Sequence, residues 1–458
     1  MNSFDPSSGE VGASQLGSPA FRQDYEVGLA YVAGAMVKGI ASVDVVSRLA
    51  NSGMLAFYGS GGMAIDQIDW AIDQIKAAAP GRLFGVNLLH NPEQPGAEMA
   101  LVDLLLSKGV RAIEASAFME LSAAVVRYRL SGAYEDAEGR VRSRHFVMAK
   151  ISRPEIARRF MGACPEKLVT QLFEQGLITA EQASLAPRLS VSSDVTVEAD
   201  SAGHTDMGAL VTLLPSLLAL RDQVEREQEL GARIRVGAAG GLATPQAIAV
   251  AFVMGADYVV TGSINQCSPQ AGTSDIVKDL LSKADVRDTT YGPAGDMFEL
   301  GARIQVLKKG VLFPARANRL YDLWRRHESL DEIDNKTRLE IQNKFLGRSF
   351  DDVWHETRAY YERVMPSEVD RASQPRARMA LVFKWYFVHS MRLALAGDPS
   401  QKANYQIHCG PSMGAFNQWV KGTALEDWRA RDVDMIAQTL MNHAAIYLSQ
   451  QISNLQIR

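Results

Sequence analysis

Eight short apolar segments recur along the first 265 residues of the chain, and each is followed by a polar or glycine-rich stretch. Most are continuous runs of small or β-branched side chains rather than alternating polar and apolar positions. This pattern is typical of parallel strands that are buried on both faces. The sequence therefore predicts eight strands, which begin near Tyr31, Leu55, Phe84, Ala112, Phe146, Val195, Ile234 and Tyr258.

Segments with apolar residues at helical spacing lie between most of these strands. Strand–helix alternation repeated this often is the pattern of a TIM (β/α)8 barrel, an α/β fold that uses about 250 residues. We therefore place a barrel at residues 25–275. The helices predicted between its strands are Val43–Asn51, Ile65–Ala78, Ala97–Ser107, Ala117–Leu130, Gly208–Leu220 and Pro245–Met254.

Three parts of the chain depart from this alternation. Residues 1–24 are rich in Ser, Gly and Pro and are predicted to be a flexible leader. The step of 49 residues from Phe146 to Val195 is the longest, which predicts a helical insertion at 153–190. After residue 275 the alternation stops, and 276–458 is predicted to be a second, helical region. The helices predicted in these parts are Pro154–Met161, Pro165–Gln175, Met297–Lys309, Ala315–Glu328, Leu330–Phe345, Phe350–Val364, Arg376–Ala396 and Asp432–Gln451.

Composition excludes several classes of protein. The chain has 458 residues, 47% of them hydrophobic, and a net charge of −4, so it shows no overall attraction to nucleic acid or to a membrane surface. No apolar run reaches the ~20 residues that a membrane span needs. Cys164, Cys267 and Cys409 are widely spaced and form no CxxC pair, and the N-terminus lacks a secretory pattern. We therefore expect free thiols and a cytoplasmic location.

Glycines follow the last two predicted strands. Gly240 and Gly241 end the seventh strand, and Gly262 and Ser263 end the eighth. The loops after these strands commonly bind phosphate in barrels, and glycines let backbone N–H groups approach an anion without a Cβ in the way. Thr244, which precedes a proline, is a candidate N-cap for the next helix. We predict a phosphate site here; the alternative is a pair of tight turns.

A histidine follows the sixth predicted strand. Barrel enzymes carry their catalytic residues at the carboxyl ends of strands, and imidazole can donate a proton or a hydrogen bond near neutral pH. We therefore predict that His204 is catalytic, with the slim backbone of Ala202 and Gly203 beside a flat ligand. Asp206 would cap the next helix or orient the imidazole. The alternative is an ordinary loop histidine; with the phosphate site beside it, the combination points to flavin mononucleotide (FMN).

Three further strand ends carry candidate site residues. Lys150 ends the fifth strand, where an ammonium group would stabilise negative charge on a reduced flavin ring. Asn87 ends the third strand, and its amide would both donate to and accept from the ring edge. Gly34, Ala35 and Met36 follow the first strand and would lay backbone against that edge. The alternatives are an ion-paired lysine, an Asx turn and an ordinary loop of small residues.

Several other residues are given no role. Cys267 has no evident base beside it, so we expect a buried spectator thiol. His408 and Cys409 lack the partner spacing of a zinc site, and no metal is predicted. His145 begins a strand, at the end of a barrel that serves stability. No GxGxxG motif opens a strand–helix unit, so a Rossmann domain is not supported.

Together with two C-terminal segments, these residues resemble a known family. The nitronate monooxygenase and FMN-dependent enoyl-ACP reductase superfamily has motifs similar to Ala33–Met36, Val86-Asn87, Lys150, Glu198–Asp206, Gly237–Gly241 and Val260–Ser263. Within it, the PfaD-like group has segments similar to Leu300–Tyr321 and Cys409–Lys421. The members of that group are trans-acting enoyl reductases of trans-acyltransferase polyketide synthases and polyunsaturated fatty acid synthases.

The resemblance implies a specific activity. FMN would bind at the carboxyl end of the barrel, NADPH would supply hydride, and the substrate would be an α,β-unsaturated thioester on the phosphopantetheine arm of an acyl carrier protein. By position, His204 matches the active-site histidine of the superfamily, and the phosphate-binding residues correspond to Gly240, Gly241, Gly262 and Ser263. The helical region would bind the substrate or its carrier.

The resemblance also implies partners, namely acyl carrier protein and polyketide synthase modules in antibiotic biosynthesis; a homodimer is left open. Carrier proteins are usually acidic, so a basic surface of the helical region would receive them. The candidates are Lys308, Lys309, Arg316, Arg319, Arg325 and Arg326. The alternative is a solvated basic helix face.

Two other functions stay open from the sequence. A nitronate monooxygenase would use the same barrel, FMN and histidine, but its base abstracts a proton and O₂ reoxidises the flavin. The long helical region argues against it, because so small a substrate needs no large docking surface. A non-catalytic docking partner of a synthase would keep only the fold. The intact glycines and His204 argue against that function.

Overall fold

The structure, a computed structural model, describes residues 11–92 and 94–456. Strands β1 to β13 lie, in chain order, at Tyr31–Ala33, Leu55–Tyr58, Gly85–Leu89, Ala112–Ser116, Ala133–Glu135, Val141–Ser143, Phe146–Ile151, Asp194–Glu198, Gly203–Thr205, Arg235–Ala239, Val259–Thr261, Thr289–Pro293 and Arg303–Leu307.

Helices α1 to α19 lie, in chain order, at Pro19–Tyr25, Val43–Asn51, Ile65–Ala78, Pro95–Ser107, Ala123–Ser131, Pro154–Met161, Glu166–Glu174, Ala180–Leu185, Leu210–Glu227, Pro245–Val253, Ser263–Gln266, Asp275–Leu281, Phe313–Arg326, Asn335–Glu340, Phe350–Val364, Pro366–Arg371, Pro375–Ala396, Ser412–Val420 and Val433–Gln456. Short 3-10 turns lie at Ala13–Gln15, Ala186–Arg188, Phe298–Leu300, Leu330–Glu332, Pro399–Asn404 and Trp428–Ala430, and a π-helical turn lies at Ile341–Leu346.

Eight parallel strands close into a barrel in the order β1-β2-β3-β4-β7-β8-β10-β11, and β11 pairs with β1 to complete the ring. The predicted (β/α)8 barrel is therefore confirmed, and each predicted strand start lies within one residue of the observed one. The strands β2, β3, β4, β7, β8 and β10 are each buried at four or more positions in succession. Burial on both faces explains why their sequences are continuous apolar runs.

The residues before β1 differ from the flexible leader that the sequence predicts. Helix α1 begins after Ser18, whose side chain accepts a hydrogen bond from the Phe21 N–H group. Phe21 and Tyr25 are fully buried and belong to the same apolar cluster as barrel interior residues such as Phe57 and Met148. The aromatic face of α1 thus fills barrel interior space. The part of the predicted leader at 1–10 lies outside the described residues.

Between β7 and β8 the chain forms the predicted insertion as α6, α7 and α8. Helix α6 has the predicted bounds, and α7 begins one residue after the predicted start. The preceding antiparallel hairpin of β5 and β6 is not predicted, since its two strands have only three residues each. Within the described part of the chain, none of the helices combines the length and the apolar character that a membrane crossing requires.

The chain divides into two compact units. The first comprises the described residues up to Ser201, Asp206–Gly272, and those from Gln418 onward; the second comprises Ala202–Thr205 and Thr273–Asn417. The predicted boundaries of 25–275 and 276–458 therefore differ from the observed ones. Helix α19 contacts α10 and α2 of the barrel. The reason is its apolar face, whose Val433, Met441 and Ala444 are fully buried.

The second unit combines an antiparallel sheet of order β12-β13-β9 with helices that include α13, α15 and α17. Its core is aromatic and includes Phe298, Phe313, Tyr386 and Phe387. The predicted helix Met297–Lys309 is wrong. Its first part is the 3-10 turn, Gly301 then adopts the left-handed conformation with φ of 72°, and the rest forms β13, which pairs on both edges. Two-sided pairing outweighs the helical spacing of the apolar residues.

Candidate active site

The glycine loops after β10 and β11 leave open space beside their backbones. Gly240 and Gly241 have φ of 94° and 74°, values that L side chains rarely adopt. A Cβ added at Gly241 or at Gly262 would meet no heavy atom within 4 Å. Thr244 caps α10 as predicted, because its side chain accepts from the Ala247 N–H group at 3.4 Å. The loops thus combine left-handed backbone at Gly240 and Gly241 with open space beside Gly241 and Gly262.

Ser263, the other residue predicted at this site, is the first residue of the short helix α11 and is buried. Across the pairing of β11 with β1, Gly34 donates its N–H group to the Thr261 carbonyl oxygen at 3.0 Å. The carbonyl oxygen of Met36 accepts from the Ala41 N–H group at 3.1 Å. The loop after β1 is thus held firmly by backbone hydrogen bonds.

Lys150 lies inside the barrel beside two carboxylates. Its ammonium nitrogen is 3.0 Å from Oε1 of Glu198, and its side chain is mostly buried. Burial alone would lower the pKa of Lys150, but the charges of Glu198 and Glu114 raise it above its ordinary value. Lys150 therefore stays protonated, and the carboxylate of Glu198 balances its positive charge within the protein itself.

Asn87 uses its amide hydrogens within the protein. Its side-chain nitrogen donates to the Glu114 carbonyl oxygen at 2.9 Å and to the Ser116 hydroxyl at 3.0 Å. The predicted donation from this amide to a ligand is therefore not available in this arrangement, and Asn87 instead ties β3 to β4. The side-chain carbonyl oxygen of Asn87 takes no part in these two bonds.

His204 lies on β9, in the second unit. Its Nε2 atom is 2.9 Å from Oδ1 of Asp296, and its side chain is 39% exposed. Desolvation raises the pKa of Asp296, but the imidazole of His204 and backbone N–H groups together hold that pKa below its ordinary value. A histidine that a carboxylate holds in place while leaving it partly exposed can donate a proton to a ligand.

A second histidine lies near this pair. Desolvation and the positive charge of His204 lower the pKa of His408 to about 4. Nδ1 of His408 is 3.8 Å from the position that a Cβ on Gly203 would take, and its Nε2 is 2.9 Å from the Gln406 side-chain nitrogen. At neutral pH His408 is therefore uncharged and competes little with His204 for Asp296.

The prediction for Asp206, close to His204 in the chain, is wrong. Asp206 neither orients the imidazole nor caps α9, since Ala209 is the N-cap and Asp206 forms an ion pair with Arg153 at 3.0 Å. Ala202 and Gly203 belong with the second unit, where Gly203 pairs with Gln305 of β13. Their predicted contact with a flat ligand stays a prediction.

The three cysteines and His145, for which no role is predicted, pack within the protein. Cys267 is fully buried, and the guanidinium of Arg431 donates to its sulfur at 3.4 Å. Cys164 and Cys409 are also buried, and neither forms a disulfide bond within the described residues. His145 stacks on Tyr128 with ring centroids 4.9 Å apart.

Sequence reasoning missed Glu114 and Asp296. A charged residue in the middle of the apolar strand Ala112–Ser116 is a signal for Glu114, since buried strands rarely contain one without a partner. Asp296 gives no such signal, because it lies 92 residues from His204 in the chain. It follows β12, and the two residues come together in a sheet in which β13 pairs with both β12 and β9.

Sequence comparison finds relatives among synthase proteins. The chain is 44% identical to the polyketide biosynthesis protein PksE of Bacillus subtilis, over 97% of this chain and 58% of that protein. It is 45% identical to the polyketide biosynthesis protein ThaF of Burkholderia thailandensis, over 95% of this chain and 37% of that protein. It is 42% identical to one of the polyunsaturated fatty acid synthase subunits of a Thraustochytrium species, over 90% of this chain and 28% of that protein. The chain thus spans less than two thirds of the length of each of these relatives.

Structural comparison finds a similar domain of known structure. The enoyl reductase domain of MlnA, from the macrolactin biosynthesis cluster of Bacillus amyloliquefaciens, has a TM-score of 0.93 and 41% identity, over 96% of this chain and 99% of that domain. FabK from Thermotoga maritima has a TM-score of 0.54 and 17% identity, over 95% of this chain and 98% of that one, and shares the fold. Residues 327–405 match the family model of the inserted helical domain of [acyl-carrier-protein] S-malonyltransferase.

Proposed function

Because this chain belongs to the enoyl reductase family of polyketide and polyunsaturated fatty acid synthases, within the nitronate monooxygenase superfamily, we propose that it reduces the α,β double bond of enoyl thioesters. The observation that carries this proposal is the 41% identity to the MlnA enoyl reductase domain across 99% of that domain. The substrate is an enoyl chain on acyl carrier protein, and NADPH is the hydride donor.

The cofactor of the proposed reaction is FMN, and the residues at the carboxyl end of the barrel fit it. The open space beside Gly241 and Gly262 suits a phosphate group, with Gly240 and Ser263 completing the loops. The backbone of Gly34, Ala35 and Met36, the Asn87 carbonyl group and the Lys150 ammonium group would hold the ring. When bound, FMN supplies a two-electron carrier between the nicotinamide and the β-carbon of the substrate.

Lys150 and His204 have different tasks in this proposal. Lys150 keeps a fixed positive charge, because its raised pKa prevents it from giving up a proton at neutral pH. His204 donates a proton to the α-carbon or a hydrogen bond to the thioester oxygen, where negative charge develops. Asp296 holds the imidazole and stabilises its protonated form, which supplies that proton. Gly203 positions His204 through the pairing of β9 with β13, and Ala202 directly precedes that strand.

The proposed partner is an acyl carrier protein. The relatives support it because they are polyketide biosynthesis proteins and a polyunsaturated fatty acid synthase subunit. The matched helical-domain family is also named for an enzyme that acts on acyl carrier protein. Of the six predicted docking residues, Lys309 forms an ion pair with Asp288 at 2.9 Å, and Arg319 forms one with Glu340 at 2.9 Å. Arg325 and Arg326, at the end of α13, are exposed and are the better candidates.

Replacement of His204 tests the proposed reaction. Turnover of an enoyl thioester by His204→Ala should fall by about 10²–10⁴-fold, the usual contribution of general acid catalysis, while bound flavin is retained. Asp296→Asn should cause a smaller loss, because it removes the charge but keeps an oxygen for the imidazole. The exposed His355→Ala, on α15, is the matched control and should turn over normally. Near-normal turnover by His204→Ala would overturn the assignment.

A further inference from the structure

Glu114 is a charged residue inside the barrel that the proposed reaction does not use. Its side chain is 0% exposed. Its Oε2 atom accepts a hydrogen bond from the Ala35 N–H group at 2.9 Å. Ala35 follows β1, and two strands separate β1 from β4 in the barrel order. The carboxyl group of Glu114 therefore reaches across the barrel interior.

The other carboxyl oxygen of Glu114 is enclosed and lacks a hydrogen bond. Oε1 is inaccessible to solvent and has no hydrogen-bond partner among the described residues. It lies 3.3 Å from the position that a Cβ on Gly34 would occupy. A buried carboxylate oxygen without a donor is costly, and protonation of the carboxyl group removes most of that cost.

Two charged groups face Glu114 from the next two strands of the barrel order. Lys150 on β7 favours its ionised form, and Glu198 on β8 disfavours it. The element on its other side, β3, contributes the uncharged amide of Asn87, which donates to the Glu114 backbone. With all three groups ionised, this carboxylate–lysine cluster, defined as Glu114, Lys150 and Glu198, has a net charge of −1. A single proton on Glu114 brings it to zero.

The cluster lies at the functional end of the barrel. Lys150 is the second-last residue of β7, Glu198 is the last residue of β8, and Gly34 directly follows β1. The carboxyl ends of parallel strands meet at one end of a barrel, which is also where the loops of Gly240 and Gly262 begin. A ligand bound at that end would therefore sense the charge of the cluster.

We propose that Glu114 is a proton-binding site built into the barrel, which takes up a proton when an anionic, electron-rich ligand binds at the carboxyl end of the strands. The proton converts the carboxylate–lysine cluster from a net charge of −1 to a neutral one. The cluster therefore stops repelling the ligand. Lys150 remains charged throughout, and Glu198 remains its partner.

The electrostatics of the site agree with this role. Burial raises the pKa of Glu114 to about 7, in spite of the opposing effects of Lys150 and the Ala35 N–H group. Near neutral pH both forms of the carboxyl group are therefore populated, and a modest change in nearby charge suffices to shift the balance.

Infrared difference spectroscopy of the full chain between pH 5 and 9 tests the proton site without any ligand. The carbonyl stretch of a protonated buried carboxyl group should disappear with a midpoint near pH 7 in the wild type and be absent in Glu114→Gln. Glu198→Gln should lower the midpoint, and Lys150→Met should raise it by about 1–3 pH units, because removal of each charge acts in the opposite direction. Absence of a titrating band, or the same band in Glu114→Gln, would overturn the proposal. If Glu114→Gln does not fold, the opposite shifts of the midpoint in Glu198→Gln and Lys150→Met test the proposal instead.

Calorimetric titration of FMN into flavin-free protein, in PIPES and in Tris at pH 7, tests the link to the ligand. This part rests on the proposed function. The wild type should take up more protons than Glu114→Gln, by up to about 0.5 per site, while the phosphate of FMN contributes equally to both. Equal proton counts would overturn the link. Absence of FMN binding would instead reject the proposed cofactor, and the infrared titration alone would then judge the proton site.

Discussion

Two of the sets of buried charges within the barrel differ in how well hydrogen bonds satisfy their atoms. At the amino ends of β8 and β10, Asp194 accepts from Arg235 at 2.6 and 3.0 Å and from the Tyr25 hydroxyl at 2.6 Å. At the carboxyl ends, Glu114 keeps one oxygen without a donor among the described residues. A complete network suits the stability end of a barrel, and an incomplete one suits the end where ligands bind.

At the residue scale, the glycine loops allow a matched pair of substitutions. A Cβ on Gly240 would lie 2.9 Å from backbone atoms of Ala199 and Asp200, at a φ of 94°. Gly240→Ala should therefore lower stability by about 1–3 kcal/mol. A Cβ on Gly262 meets open space, at a negative φ of −132°. Gly262→Ala should lower stability less and instead fill the phosphate space.

Thermal unfolding and the flavin-to-protein ratio after gel filtration measure the two effects. Gly240→Ala should show the lower unfolding temperature, and Gly262→Ala should lose flavin while staying folded. A Gly262→Ala protein that keeps its flavin as well as the wild type would contradict the assignment of this loop to phosphate.

At the element scale, the sequence predicts the barrel well because buried parallel strands have an unmistakable composition. It also predicts α2, α3, α6 and α15 with their observed bounds. It misses β9, β12 and β13, because three short strands from distant parts of the chain acquire their conformation from pairing with one another. The glycine loops could be predicted because they directly follow strands with a recognisable composition. Asp296 could not be predicted, since its contact with His204 depends on the pairing of β9, β12 and β13.

A prediction at the element scale concerns the contribution of helix α1 to stability. The Tyr25 hydroxyl donates to the charged Asp194 carboxylate, whereas the Tyr31 hydroxyl lies 2.5 Å from the neutral Thr261 hydroxyl. Both tyrosines are fully buried. Tyr25→Phe should lower the free energy of unfolding by about 1.5–3 kcal/mol, and Tyr31→Phe by only about 0.5–1.5 kcal/mol, because hydrogen bonds to charged groups contribute more. Urea denaturation compares them, and an equal or larger loss in Tyr31→Phe would contradict the account.

At the scale of the whole molecule, the chain passes between its two units more than once. It leaves the barrel unit at Ala202, re-enters it at Asp206, and returns to it a second time at Gln418. Local patterns cannot reveal such a path, because α19 and α17 are both apolar helices and only the choice of packing partner distinguishes them. The boundary at 275 follows from the end of strand–helix alternation, which is a local property.

A prediction for the whole molecule concerns the docking of the carrier protein at the end of α13. Reversal of both charges in Arg325→Glu/Arg326→Glu should raise the KM for an enoyl carrier protein about tenfold and reduce its dependence on salt, because surface charge steers association. The KM for a short enoyl thioester without a carrier should not change. Lys167→Glu, on the exposed face of α7, is the matched control. An equal effect on both substrates would exclude docking at this end of α13.

In the proposed function, the protein passes hydride from NADPH through FMN to an enoyl thioester. The most direct measurement is the visible spectrum of the purified protein under anaerobic conditions, first with NADPH and then with an enoyl-loaded carrier protein. We predict a flavin spectrum that NADPH bleaches and the enoyl substrate restores. A protein without flavin, or a flavin that ignores NADPH and the enoyl chain yet turns over nitronates in air, would contradict the claim.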